Sequence, residues 1–94
     1  MASVNVSKPL RILIVEDSEV DTELLLRELR RGNYQPTHER VETAAAMTAA
    51  LEQKTWDLVV ADFSMPQFNA LAALEVAKAK GPDLPFIIEM FRSR

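Results

Sequence analysis

The sequence predicts an α/β fold, an open parallel sheet with helices on both faces. Two observations carry this. The segments LRILIV at 10–15 and DLVVAD at 57–62 are almost wholly apolar and rich in Ile and Val, the composition of strands buried on both faces. Between and after them, apolar residues recur at three- and four-residue spacing in stretches bounded by capping and breaking residues. Strands alternating with helices in this way imply right-handed crossovers and a parallel sheet.

Taken in order, residues 1–8 read as a flexible N-terminal tail, followed by a first strand over Leu10 to Val15. Glu16 and Asp17 end it. Ser18 and Asp21 then form a Ser-x-x-Asp start signal, and Val20, Leu24, Leu25 and Leu29 supply the apolar face of a first helix. Arg27, Arg30 and Arg31 complement its C-terminal dipole, and Gly32 stops it. THERVE at 37–42 has so little apolar content that a strand there belongs at a sheet edge. Thr43 caps a second, Ala-rich helix with Ala44, Met47, Ala50 and Leu51 on one face, ending near Lys54. The third strand, Asp57 to Asp62, repeats the first by ending on a carboxylate. Asn69 to Lys80 reads as a third helix facing inward through Leu71, Leu74 and Ala77 or Lys78, and Gly81 and Pro82 break it. Phe86, Ile87 and Ile88 read as a fourth buried strand.

Composition narrows the chemistry. With no cysteine and one histidine among 94 residues, thiolate and His-rich metal sites are excluded, so any metal must sit on oxygen. Two glycines, Gly32 and Gly81, cannot build a GxGxxG turn or a phosphate loop. A net charge of −3 gives no basic footprint for nucleic acid or an anionic membrane. The longest apolar run, Ala70 to Leu74, is far short of the roughly 20 residues of a membrane span, and the N-terminus lacks a signal-peptide core, so the default compartment is the cytoplasm. His38 and Trp56 read as an ordinary surface residue and a packing residue; Met47 and Met65 read as core or loop fillers.

In an open parallel sheet, ligands bind beyond the carboxyl ends of the strands, where the strand order reverses. A strand order of 2-1-3-4 makes strands one and three neighbours and brings Glu16, Asp17 and Asp62 together. Three carboxylates at one point repel each other unless protonated or bridged by a cation, and a hard divalent ion such as Mg2+ suits an all-oxygen set. Helix capping is the plainer role for each acid taken singly; the repetition of the pattern on both strands favours a shared site.

The segments LRILIVEDSEVD and WDLVVADFSMP resemble, in spacing, order and local composition over residues 9–88, the receiver domain of two-component response regulators. The resemblance implies a flavodoxin-like sheet of order 2-1-3-4 in a domain spanning 9–89, with 90–94 an atypical C-terminal tail. It implies that Asp62 accepts a phosphoryl group from a sensor histidine kinase, a phosphotransfer protein or a small acyl phosphate. It further implies that Glu16, Asp17, Asp62 and the backbone carbonyl of Ser64 hold Mg2+. No cofactor besides the metal is implied, and the chain would be a signalling module rather than an enzyme. An aspartate-nucleophile phosphatase would carry a second acid at position 64, where this chain has Ser64.

The chain also departs from the family. A complete receiver has five strands and five helices, and the elements read here lack the fifth strand and last two helices. The family's switch hydroxyl after strand four falls at Met90, and its phosphate-contacting Lys at the end of strand five has no counterpart. Phosphorylation is therefore expected to be slow, since a cation aimed at the transferring group contributes several kcal/mol. A bare strand-four edge and helix-one face imply self-association as a homo-oligomer. The competing reading is a phosphorylation-incompetent interaction or self-assembly module that inherits the acidic pocket with its fold.

Overall fold

The structure is a computed structural model and describes residues 7–90. The elements run β1 (Lys8–Val15), α1 (Glu19–Arg31), β2 (Tyr34–Val41), α2 (Ala44–Gln53), β3 (Leu58–Asp62), α3 (Ala70–Lys80) and β4 (Phe86–Glu89). All pairings are parallel and the order is β2-β1-β3-β4, so the expected topology holds, with β2 at one edge and β4 at the other.

Alternation along the central strands sends side chains to two layers. Ile12, Ile14 and Val60 pack with Leu26 of α1 on one face. Leu13, Val15, Val59 and Ala61 pack on the other with Met47 and Ala50 of α2 and with Ala70, Ala73 and Ala77 of α3. Both layers bury β1 completely from Ile12 to Val15, which explains its unbroken apolar run. Trp56 packs beside the second layer and donates its indole N–H to the Ala50 carbonyl at 2.9 Å. Met47 and Met65 are core residues and His38 is exposed, as read from the sequence.

Two helix faces differ from expectation. Val20 and Leu24 of α1 are 63% and 41% exposed, while Thr22 and Leu26 are buried and Leu25 and Leu29 half-buried. Three consecutive leucines, 24 to 26, allow two helical faces, and docking on Ile12 and Ile14 selects the one through Thr22, Leu25, Leu26 and Leu29. In α3 the inward face is Ala70, Ala73 and Ala77, with Leu71 exposed. Small side chains let this helix lie close against α2 and the sheet. Ala44 of α2 is also exposed.

Boundaries shift as well. Lys8 is already in β1 and does not belong to a tail; the rest of the expected N-terminal tail through residue 6, and the C-terminal tail from 91 to 94, lie outside the described residues. β2 begins at Tyr34 and includes Pro36, which an edge strand tolerates because one side needs no donor. β3 starts at Leu58, after Asp57 has turned to pair with Arg11 at 2.9 Å. Asn69 caps α3 instead of opening it. Among the described residues β4 is an outer strand with Phe86 half-buried and Ile87 and Ile88 exposed, where the sequence predicts a buried one.

Gly32 ends α1 with an ordinary φ of −83°, and the left-handed residue is Asn33 at φ 71°. Asparagine is one of the few side chains that takes this conformation readily. At the start of α2 the Thr43 hydroxyl accepts from the Ala46 N–H at 3.1 Å. Thr43→Ala is expected to destabilise the fold by about 1 kcal/mol, read as a lower urea midpoint with unchanged slope.

Candidate metal and phosphoacceptor site

The β1–β3 register pairs Val15 with Ala61, so the next residues, Glu16 and Asp62, stand side by side at the carboxyl end of the sheet. Glu16 extends the ladder through its N–H to the Val41 carbonyl at 3.0 Å. Both Glu16 and Asp62 are fully buried; Asp17 is exposed at the rim. One carboxylate oxygen from each of the three lies within 4.8 Å of the others, which is the convergence expected from the sequence.

Local backbone holds two of these carboxylates in place. Glu16 Oε2 accepts the Ser18 N–H at 2.9 Å, while the Ser18 hydroxyl accepts the Asp21 N–H at 3.1 Å and caps α1. Asp62 Oδ1 accepts both the N–H of Ser64, at 3.0 Å, and its hydroxyl, at 2.9 Å. The other oxygens, Glu16 Oε1 and Asp62 Oδ2, are buried with no hydrogen-bond donor among the described residues. Burial pushes the Glu16 carboxyl up to about 8; the Ser18 N–H opposes this, and contact with Asp17 and the charge of Asp62 add to it. Acceptor-only oxygens cannot satisfy one another, so the cluster must take up either a proton or a cation. An all-oxygen set with one exposed member fits a hard cation that keeps part of its coordination shell open.

Three features escaped the sequence reading. The Ser64 N–H and hydroxyl orient Asp62, whereas the sequence points only to the Ser64 carbonyl; an Asp followed two residues later by Ser is the available signal, since such pairs form side-chain-to-backbone turns. Arg40 of β2 reaches the Glu16 carbonyl at 3.2 Å and pairs with Glu42 at 2.7 Å, bracing the rim. Asp21, part of the Ser-x-x-Asp start signal, is also fully buried in the first turn of α1, where the helix dipole favours a carboxylate. Beyond Asp62, the Phe63 N–H donates to the Glu89 carbonyl at 2.8 Å and ties the site loop to the end of β4. Met90 follows and is 54% exposed.

No protein-family model matches the chain. It is 36% identical over 80 residues to the two-component response regulator ORR25 of Oryza sativa subsp. japonica, an alignment covering 85% of this chain and 11% of that protein. The receiver domain of the sensor histidine kinase PA1611 from Pseudomonas aeruginosa PAO1, solved with magnesium coordinated in its active site cleft, superposes with a TM-score of 0.68 at 24% identity. That match covers 85% of this chain and 66% of the other. Full-length FixJ from B. japonicum gives 0.68 at 23% identity, covering 87% of this chain and 39% of FixJ. The BeF3-activated form of SdrG from Pseudomonas melonis Fr1 gives 0.64 at 26% identity, covering 83% and 64%. The chain thus spans a small part of the rice protein and about two thirds or less of each of these structures. Among the described residues no helix is long and apolar enough to cross a membrane.

Proposed function

We propose, from the premise that this chain is a receiver domain of the response-regulator family carried through its fourth strand, that Asp62 is a phosphoacceptor. The donor is a phosphohistidine on a sensor histidine kinase or phosphotransfer protein, or a small acyl phosphate. The observation that carries this reading is the convergence of Glu16, Asp17 and Asp62 with two buried carboxylate oxygens left without donors. Glu16, Asp17 and Asp62, with the backbone carbonyl of Ser64, would hold Mg2+. When bound, the ion supplies charge neutralisation and alignment for the phosphoryl oxygens.

The chain's own residues do the rest. The Asp62 carboxylate attacks phosphorus, the bond from phosphorus to the donor nitrogen or oxygen breaks, and its electron pair leaves with the donor. No general base is needed, because a carboxylate nucleophile has no proton to lose. The two Ser64 donors fix the direction of the Asp62 carboxylate, and the burial of Glu16 and Asp62 limits water at the acceptor. With Met90 where the family has a hydroxyl, transfer is slow and the usual switch element is weak. The module acts in the cytoplasm as a signalling partner rather than an enzyme, and it self-associates through apolar surface that includes the exposed Val20 and Leu24 of α1.

Incubation with Mg2+ and a small acyl phosphate is expected to raise the intact mass by one phosphoryl group. Neither Asp62→Asn nor the wild type in EDTA should gain it. No gain in a folded sample would move the assignment to an interaction module that does not accept phosphate.

A further inference from the structure

Glu16 and Asp17 share one peptide group. The Glu16 carbonyl belongs to the planar unit that joins the two residues, so whatever holds that carbonyl sets the direction in which both side chains leave the chain. The main chain here has just passed the end of β1, and two consecutive residues of β2 secure it. The Glu16 N–H donates to the Val41 carbonyl at 3.0 Å, and the Glu16 carbonyl accepts from Arg40 Nη1 at 3.2 Å. Register pairs Arg40 with Ile14 on the α1 side of the sheet, so the guanidinium reaches forward to a carbonyl beyond the strand. The Arg40 side chain is only 23% exposed although β2 is an outer strand among the described residues. Nη1 also donates to Glu42 Oε2 at 2.7 Å, and Nη2 lies 3.5 Å from Glu19 Oε2. Both carboxylates are exposed and contribute little to stability as ion pairs; what they do is aim the guanidinium fork.

We propose that Arg40 is a positioning residue of the metal site, holding the Glu16–Asp17 peptide in the orientation that lets both carboxylates reach one ion. This rests on the metal reading of Glu16, Asp17 and Asp62 given above. Asp62 has a local brace in the Ser64 N–H and hydroxyl, whereas the main chain of Glu16 takes its brace from the neighbouring strand. Groups that orient metal ligands from outside the coordination sphere change metal affinity by about ten- to a hundredfold. Charge and position make opposite demands on this residue. A cation at the rim repels a divalent ion, so by charge alone the removal of the guanidinium tightens metal binding. Glu19 and Glu42 lie against it and offset that repulsion, which leaves position as the larger effect. Removal then loosens binding. The sign of the change tells the two roles apart, and a purely structural role leaves the affinity of the folded protein unchanged.

The probe is Mn2+, an ion suited to carboxylate and carbonyl ligands, titrated into the whole folded chain and read from the electron paramagnetic resonance signal of the free ion. Arg40→Met is expected to weaken binding about tenfold. Arg40→Lys, which keeps a donor of similar reach, is expected to bind more tightly than Arg40→Met. Arg40→Gln, a shorter polar chain that an outer strand tolerates, is expected to weaken binding as Arg40→Met does, and it carries the test if that variant does not fold. Urea denaturation without metal reads any loss of fold stability separately. Equal or tighter binding in the folded Met or Gln variant, or no recovery with lysine, overturns the role of Arg40 and leaves phosphate acceptance at Asp62 standing. Wild-type protein that binds Mn2+ in this Arg40-dependent way yet gains no phosphoryl group overturns the phosphoacceptor reading and supports the positioning one. Wild-type protein that binds no Mn2+ overturns both.

Discussion

In EDTA, the wild-type protein is expected to lose stability as the pH rises from about 4.5 to about 8, the interval between the ordinary and the folded-state pKa of Glu16. The direction follows from proton binding. Across that interval the folded protein keeps the Glu16 proton and the unfolded chain has released it, so each rise in pH favours the unfolded state. At about 1.4 kcal/mol per pKa unit, the loss is on the order of several kcal/mol, a large share of the stability of a domain this small. Mg2+ offsets it by favouring the charged carboxylates, so millimolar Mg2+ should restore most of the stability at pH 8 and little at pH 5. Glu16→Gln separates the two effects. A neutral side chain flattens the pH dependence in EDTA and raises stability at pH 8, while Mg2+ then stabilises much less. Urea denaturation at the two pH values, with and without Mg2+, reads all of this. A wild-type protein whose stability in EDTA does not change with pH would contradict the buried, donor-poor site.

Leu26→Ala is expected to cost about 2–5 kcal/mol, because Leu26 is fully buried against Ile12, Ile14 and Val60 and its loss leaves a cavity beneath α1. Leu24→Ala, two residues away, should cost much less, about 1 kcal/mol or below, since Leu24 is 41% exposed and outside the cluster under α1. The contrast checks which face of α1 meets the sheet. If Leu24→Ala costs more than Leu26→Ala, the helix is rotated from the position described.

That contrast also marks where sequence stops determining structure. The strands were legible because burial on both faces forces an unbroken apolar run, as in Ile12 to Val15. The helix starts were legible because Ser18 and Thr43 each supply an oxygen to an N–H three residues on, a local bond that needs no tertiary information. The carboxylate convergence was legible once strand order was fixed, because parallel register places Glu16 beside Asp62. Helix orientation was not legible. With Leu24, Leu25 and Leu26 consecutive, periodicity offers two faces, and only the sheet chooses. In α3 the large residues drew attention to Leu71, whereas close packing against α2 selects the alanines. The sparse apolar content of THERVE marks an outer strand but not its ends, and β2 runs back to Tyr34 through Pro36, which an outer strand tolerates. The Ser64 clamp on Asp62 was missed because a hydroxyl two residues from an acid commonly serves only the local turn.

The central claim is that Asp62 is the atom-bearing acceptor, and reductive trapping tests it most directly. The protein is exposed to Mg2+ and a small acyl phosphate, reduced with borohydride, and mapped by peptide mass spectrometry. Reduction converts a phosphorylated aspartate to homoserine, and the expected result is homoserine at position 62 alone, dependent on Mg2+. Reduction at Asp17 or Glu16 in its place, or none in a folded and metal-loaded protein, would contradict the account.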